Sequence, residues 1–208
     1  MESFTLRATL TSPVIMRGHC TLDAVLMAVL NTGDVSNMVK CVDDLYYASA
    51  AMRLGTGENK SVSFVSSMMT TTKGHIWAEI LTPSRTGKVI INPKREREAG
   101  SKTDTYIATP CSHVEWYATG DAHAVLDALK GVASIGKKRR HGFGEVSEWS
   151  VSLDDELDGL VGVMGEPLRP IPLDRWEQGG DWLKTEAAWK PAYWDVRNRS
   201  ICVVPETH

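Results

Sequence analysis

The chain has 208 residues, 42% hydrophobic and 24% charged, with a formal net charge of −3, the balance of an ordinary globular chain of one large or two small domains. No run approaches the roughly 18 apolar residues of a membrane span, and the start MESFTLRATL has neither a basic flank nor an apolar signal segment, so a cytoplasmic protein without a membrane partner is expected. The net charge hides a gradient: residues 1–83 carry −1, residues 84–144 carry +5 and residues 145–208 carry −7, which points the basic middle at nucleic acid and the acidic tail elsewhere.

Phe4–Thr11 alternates Phe4, Leu6, Ala8 and Leu10 with polar residues, the period of a half-buried strand, and Pro13 ends it. Leu22–Asn31 (LDAVLMAVLN) reads as an apolar helix, with Gly18 and His19 in the loop before it. Asp43–Leu54 stays open between a short helix and a strand with a flanking turn. Ser61–Met69 and Gly74–Leu81 read as strands. The polar, cationic excursion at about 82–110, with Lys88, Lys94, Arg95 and Arg97, is too long for a simple turn and reads as an inserted β-hairpin finger. His113–Thr119 is a strand that feeds a helix over Asp121–Val132, with Ala122, Val125, Leu126, Leu129 and Val132 at helical spacing and Gly120 or Asp121 as N-cap. Val146–Leu153 alternates like a strand. This order predicts an α+β fold with a ferredoxin-like (RRM-like) antiparallel sheet over residues 1–153, two helices on one face and the other face open to a ligand.

Residues 154–208 form an irregular, acidic, Trp-rich extension that packs on the domain or on a partner. The aromatic and acidic mixture of Trp176, Trp182, Trp189 and Trp194 suits a protein interface better than RNA. Trp149 and Trp194 are the better candidates for closing the extension over the sheet, and Gly179-Gly180 marks Trp176 and Trp182 as loop residues. Cys20, Cys41, Cys111 and Cys202 are scattered without a C-x-x-C pair, and the histidines show no metal-ligand spacing, so neither a metal nor another cofactor is expected.

The segment Gly136-Lys137-Lys138-Arg139-Arg140-His141-Gly142-Phe143-Gly144 reverses the local charge sign and is framed by glycines. Glycine opens backbone conformations closed to other residues and lets the chain approach a ligand, while Lys and Arg suit phosphate oxygens. Such a run can be a solvated surface loop; its place between two core elements makes it a shaped one. Gly131-x-x-x-x-Gly136-Lys137 imitates a nucleotide-binding P-loop, but Lys138 stands where Ser or Thr would hold magnesium, and the segment follows a helix rather than a strand.

A ferredoxin-like pattern with this loop before its last strand resembles the RAMP superfamily of CRISPR proteins, and His19-Cys20-Thr21-Leu22-Asp23-Ala24-Val25-Leu26 is similar to that superfamily's first helix entry. Leu168-Arg169-Pro170-Ile171-Pro172, Lys190-Pro191-Ala192-Tyr193-Trp194 and Cys202-Val203-Val204-Pro205 are similar to the C-terminal signature of the type IV effector subunit that caps the guide RNA's 5′ end. The resemblance implies a non-catalytic subunit. It would bind the 5′ handle of the CRISPR RNA and join repeated backbone subunits and a large subunit, meeting target nucleic acid only indirectly, with the finger as its thumb.

Single-stranded RNA is gripped by cationic grooves and aromatic faces, so Lys137, Lys138, Arg139 and Arg140 are the expected phosphate contacts, with Arg17 and His19 at the helix entry. Gly136 and Gly142 shape the loop, His141 and Phe143 stack on bases or lock the loop to the sheet, and Lys88, Lys94, Arg95 and Arg97 extend the path along the finger. The alternative is a metal-independent RNA-processing endoribonuclease of the same superfamily. His19, Lys137 and Tyr46 or Tyr47 would then supply base, cation and acid.

Overall fold

The computed structural model describes residues 1–55, 57–66, 102–153 and 156–206. The chain divides into two units, Met1–Asn59 with Ala108–His208, and Lys60–Ile107. In the larger unit β1 (Glu2–Leu10) buries Phe4, Leu6, Ala8 and Leu10, as its alternation predicts. It lies between β7 (His113–Gly120) and β8 (Val146–Leu153), antiparallel to both, and β4 (Met52–Leu54) joins the outer edge of β7, giving the order β4-β7-β1-β8.

The helices α1 (Leu22–Leu30) and α2 (Ala122–Leu129) supply Leu22, Leu26, Val125 and Leu129 to the core cluster that holds Phe4, Leu6, Val114 and Trp116. Burying such side chains contributes roughly 1.5–3 kcal/mol each, and this apolar face of the sheet fixes its register. Asp121 caps α2 by accepting a 2.9 Å bond from the Ala124 amide, and Asn31 ends α1 in the left-handed region. The sheet's other face is polar: Arg7 reaches Glu115 through Nε at 2.7 Å and Nη2 at 2.5 Å.

The ambiguous Asp43–Leu54 segment resolves into strands. β2 (Cys41–Val42) and β3 (Leu45–Tyr46) form a hairpin whose two turn residues, Asp43 and Asp44, have φ of 50° and 67°, the signature of the tight turn that follows strand twist. The strand expected over Ser61–Met69 exists as β5 (Lys60–Ser66), but its partner is β6 (Lys102–Ala108), in a separate two-stranded sheet rather than the main one. In the smaller unit Phe64 meets Tyr106 edge to face, with centroids 5.8 Å apart. Gly74–Leu81 and the cations Lys88, Lys94, Arg95 and Arg97 lie outside the described residues. No described helix is long and apolar enough to cross a membrane.

After β8 the chain forms a second sheet, β10-β11-β9, from Ile171–Pro172 (β9), Lys184–Ala188 (β10) and Arg199–Val203 (β11). Leu45, Ile171 and Val203 gather Trp176, Trp182 and Trp189 around them. This corrects the expected division of the tryptophans. Trp149 does close the core, stacked on Trp116 at 6.1 Å, but Trp194 is 88% exposed, whereas Trp176 and Trp182 pack inward because their rings cover the new sheet's apolar side.

One polar cluster crosses these elements. Arg169 and Asp23 are both fully buried and pair at 3.3 Å. Arg169 also donates to the carbonyls of Tyr46 (2.6 Å), Ala48 (3.1 Å) and Trp189 (2.9 Å) and to the Tyr193 hydroxyl (2.8 Å), which in turn donates to Asp23. Burial alone would pull the Arg169 pKa down; the Asp23 carboxylate and the Tyr193 hydroxyl outweigh it and hold it up. Removing one member of a buried charge pair strands the other, so Arg169→Met should lower stability by about 3–5 kcal/mol. Tyr193→Phe, which leaves the pair intact, should cost about 1–3 kcal/mol. Urea denaturation of both variants checks the order, and equal losses would contradict it.

Candidate nucleic-acid interface

The glycine-framed segment leaves α2 and returns as a short paired stem. Ser134 bridges Glu145, the Ile135 amide donates to the Gly144 carbonyl at 2.8 Å, and the Val146 amide donates to Ala133 at 2.9 Å. A second row of bonds stitches the stem to residues 11–15: Lys137 N–H to Ile15 carbonyl (2.7 Å), Gly144 N–H to Pro13 carbonyl (2.9 Å) and Thr11 N–H to Glu145 carbonyl (3.0 Å). The Trp149 indole donates to Val132 at 2.9 Å and holds the point where the loop departs.

Two glycines make this closeness possible. Gly136 has φ +78° and a Cβ there would lie 2.5 Å from the Ile15 carbonyl oxygen; Gly144 has φ +66° and a Cβ would meet the Ile135 oxygen at 2.1 Å. No other residue fits either place without moving backbone. At the tip, Arg139–His141 make one 3-10 turn bounded by Lys138 (φ 59°) and Gly142 (φ 80°), both left-handed. The tip therefore presents its cations from a defined backbone.

Lys137, Arg139, Arg140 and His141 are exposed, and Lys138 and Phe143 are half-buried. Phe143 lies outside the main core cluster. Ser134, Lys138, Arg139, Arg140 and His141 line an open groove of about 490 Å³. A neighbouring cleft of about 280 Å³ brings Arg17, Gly136, Lys137 and Arg139 together against α1. Residues 134–144 contain no Asp or Glu, so the groove carries a local positive potential suited to phosphates. The wall that α1 gives to the cleft was not foreseen. Its signal was a helix whose outward positions are Ala and Val where a surface helix carries polar residues.

His19 goes elsewhere. It lines a smaller cleft of about 80 Å³ with Arg53 and Glu206, a cleft that adjoins the one holding Lys137 at Met16. The Tyr46 hydroxyl is committed to Asp34 at 2.6 Å, and its pKa is raised by burial and by that bond; the Tyr47 ring lies 3.9 Å beneath the Lys40 ammonium. His19, Lys137 and the tyrosines thus do not share a cleft.

Burial lowers the His19 pKa below its ordinary 6.5. The folded state then favours the neutral ring while the unfolded chain takes up a proton, so stability falls as pH drops through about 6.5 toward the folded value. His19→Gln should flatten that part of a stability-against-pH curve, measured by thermal unfolding between pH 5 and pH 8 in about half-unit steps. In the loop, Gly144→Ala meets a carbonyl as well as left-handed strain, whereas Gly142→Ala has open space around its Cβ. The Gly142 change should cost about 1–2 kcal/mol and the Gly144 change clearly more, by urea titration.

The family model described as CRISPR type IV associated protein Csf3 matches residues 67–205, more than half of the chain. The match takes in the glycine-framed loop, Arg169 and Tyr193, and begins beyond β1 and α1. No curated protein matches the chain.

Proposed function

The chain belongs to the family of CRISPR type IV associated protein Csf3, and from that membership we propose that it is a non-catalytic subunit of a type IV RNA-guided effector complex. In this reading it binds the 5′ handle of the CRISPR RNA and caps the filament of repeated backbone subunits beside a large subunit. Target nucleic acid is read by guide pairing, so this chain meets it only indirectly.

The observation that carries the reading is the acid-free loop fixed by glycines at its base, with Lys138, Arg139, Arg140 and His141 around one groove. A cationic track of fixed shape follows a single strand through its phosphates without reading sequence, as a handle-binding subunit requires. A ferredoxin-like assignment is supported by the antiparallel order β4-β7-β1-β8 and by the placement of α1 and α2 after β1 and β7. For nuclease chemistry a base and a phosphate-stabilising cation must converge on one hydroxyl, and His19 and Lys137 line different clefts.

The test is RNA retention. Lys138→Glu with Arg140→Glu should weaken binding of repeat-derived single-stranded RNA at least tenfold. It should also reduce the slope of log affinity against log salt by roughly 0.7 per lost phosphate contact. His19→Ala should leave a precursor RNA uncut, as the wild type does. Metal-independent cleavage by the wild type that His19→Ala abolishes would replace the binding reading with the nuclease.

A further inference from the structure

A helix on a protein surface normally turns charged or polar residues to water. In α1 the single charged residue, Asp23, is buried with the core, while Ala24 and Val25 are half-buried and Ala28 and Val29 exposed. These four side chains line the 280 Å³ cleft together with Ile15, Val132 and Ile135, and Arg17, Lys137 and Arg139 line it too. A largely aliphatic cleft that also holds three cations offers contact to an apolar ring and attraction to a nearby negative charge.

We propose that this cleft receives a single unpaired nucleobase of the RNA held by the loop, an inference that rests on the RNA-binding function above. The volume, just under the roughly 300 Å³ at which pockets for drug-sized ligands begin, admits a nucleobase. Position favours RNA over an apolar peptide. Ser134 and Arg139 line both this cleft and the basic groove, so a backbone lying in the groove passes the mouth, and an inserted peptide side chain would gain nothing from the cations. No Asp or Glu lines the cleft to repel the phosphate, and burial, with Asp23 nearby, pushes the Cys20 thiol up to about 11, so it stays protonated.

Aliphatic walls bury a base without matching a pattern of donors and acceptors. The slot therefore responds to whether a base is present more than to which base it is. Its role would be to set the register of the strand on the loop.

The experiment measures equilibrium binding of the full chain to repeat-derived single-stranded RNAs carrying one abasic residue at each successive position, compared with base-substituted RNAs. Under the proposal one abasic position weakens binding on the order of tenfold, within the range for losing one base contact, and base changes there have a much smaller effect. Ala28→Leu, whose three added carbons enter the slot, weakens the natural RNA similarly and removes the abasic penalty. If Lys138→Glu with Arg140→Glu weakens binding but no abasic position matters, the slot is wrong and RNA binding by the loop stands. If the charge reversal leaves binding unchanged, the RNA reading falls and the slot with it. The abasic series uses the wild-type chain, so a folding defect in a variant cannot decide it.

Discussion

A guanidinium with no exposed surface, Arg169, organises the larger unit. A buried charge is tolerated only when it is paired and hydrogen-bonded; while Arg169 Nε finds no partner among the described residues, its two terminal nitrogens recruit partners from four places. They are Asp23 at the start of α1, the carbonyls of Tyr46 and Ala48 beside β7, Trp189 after β10, and Tyr193 beyond it. Meeting that one requirement seats α1 on the sheet, lays the 46–48 segment along the edge and ties the C-terminal sheet to both. The apolar contacts of Leu45 with Ile171 and Val203 add area, but the hydrogen bonds give the direction. Because α1 also walls the cleft beneath the basic loop, the geometry of that site depends on a cluster that touches none of its cations.

That dependence explains which parts could be read from the amino-acid sequence. Local periodicity was enough for β1, β7, β8, α1 and α2, since each places its apolar side chains on one face at a spacing that a single element satisfies. The basic loop was legible because its glycines and cations are consecutive. Asp43–Leu54 was not, because its strands are two and three residues long and are held by edges assembled from distant segments. Asp23, Arg169 and Tyr193 lie in three of the segments that carry the family resemblance, yet a partnership between residues so far apart leaves no periodic trace. Trp194 and Trp182 were misplaced for the same reason: which ring covers the second sheet is decided by how β9, β10 and β11 pair.

In the loop, the constraint is backbone proximity rather than charge. Amides of Ile135, Lys137 and Gly144 all find carbonyls within a few residues' width, and Gly136 and Gly144 stand where a Cβ would strike an oxygen. The stem and residues 11–15 satisfy these polar groups between them, as a buried backbone must. What remains to face outward is the 3-10 turn with its cations. Holding cations on a fixed turn reduces the conformational entropy lost when they close on a phosphate, and that makes binding tighter for the same contacts.

The charge gradient along the chain now has a structural meaning. In the acidic last third the cations are drawn into internal contacts: Arg169 into the buried cluster, Arg175 over the Trp189 ring at 4.6 Å, Lys190 to Asp44 at 2.7 Å and Arg197 to Asp195 at 2.6 Å. The carboxylates outnumber them, so this region repels phosphate whatever its aromatic content. The loop is the reverse case, a run of cations with no acid within it. Under the proposed function, attraction at the loop and repulsion from the tail would act on the same strand and together confine an RNA to the groove and to the cleft beside it.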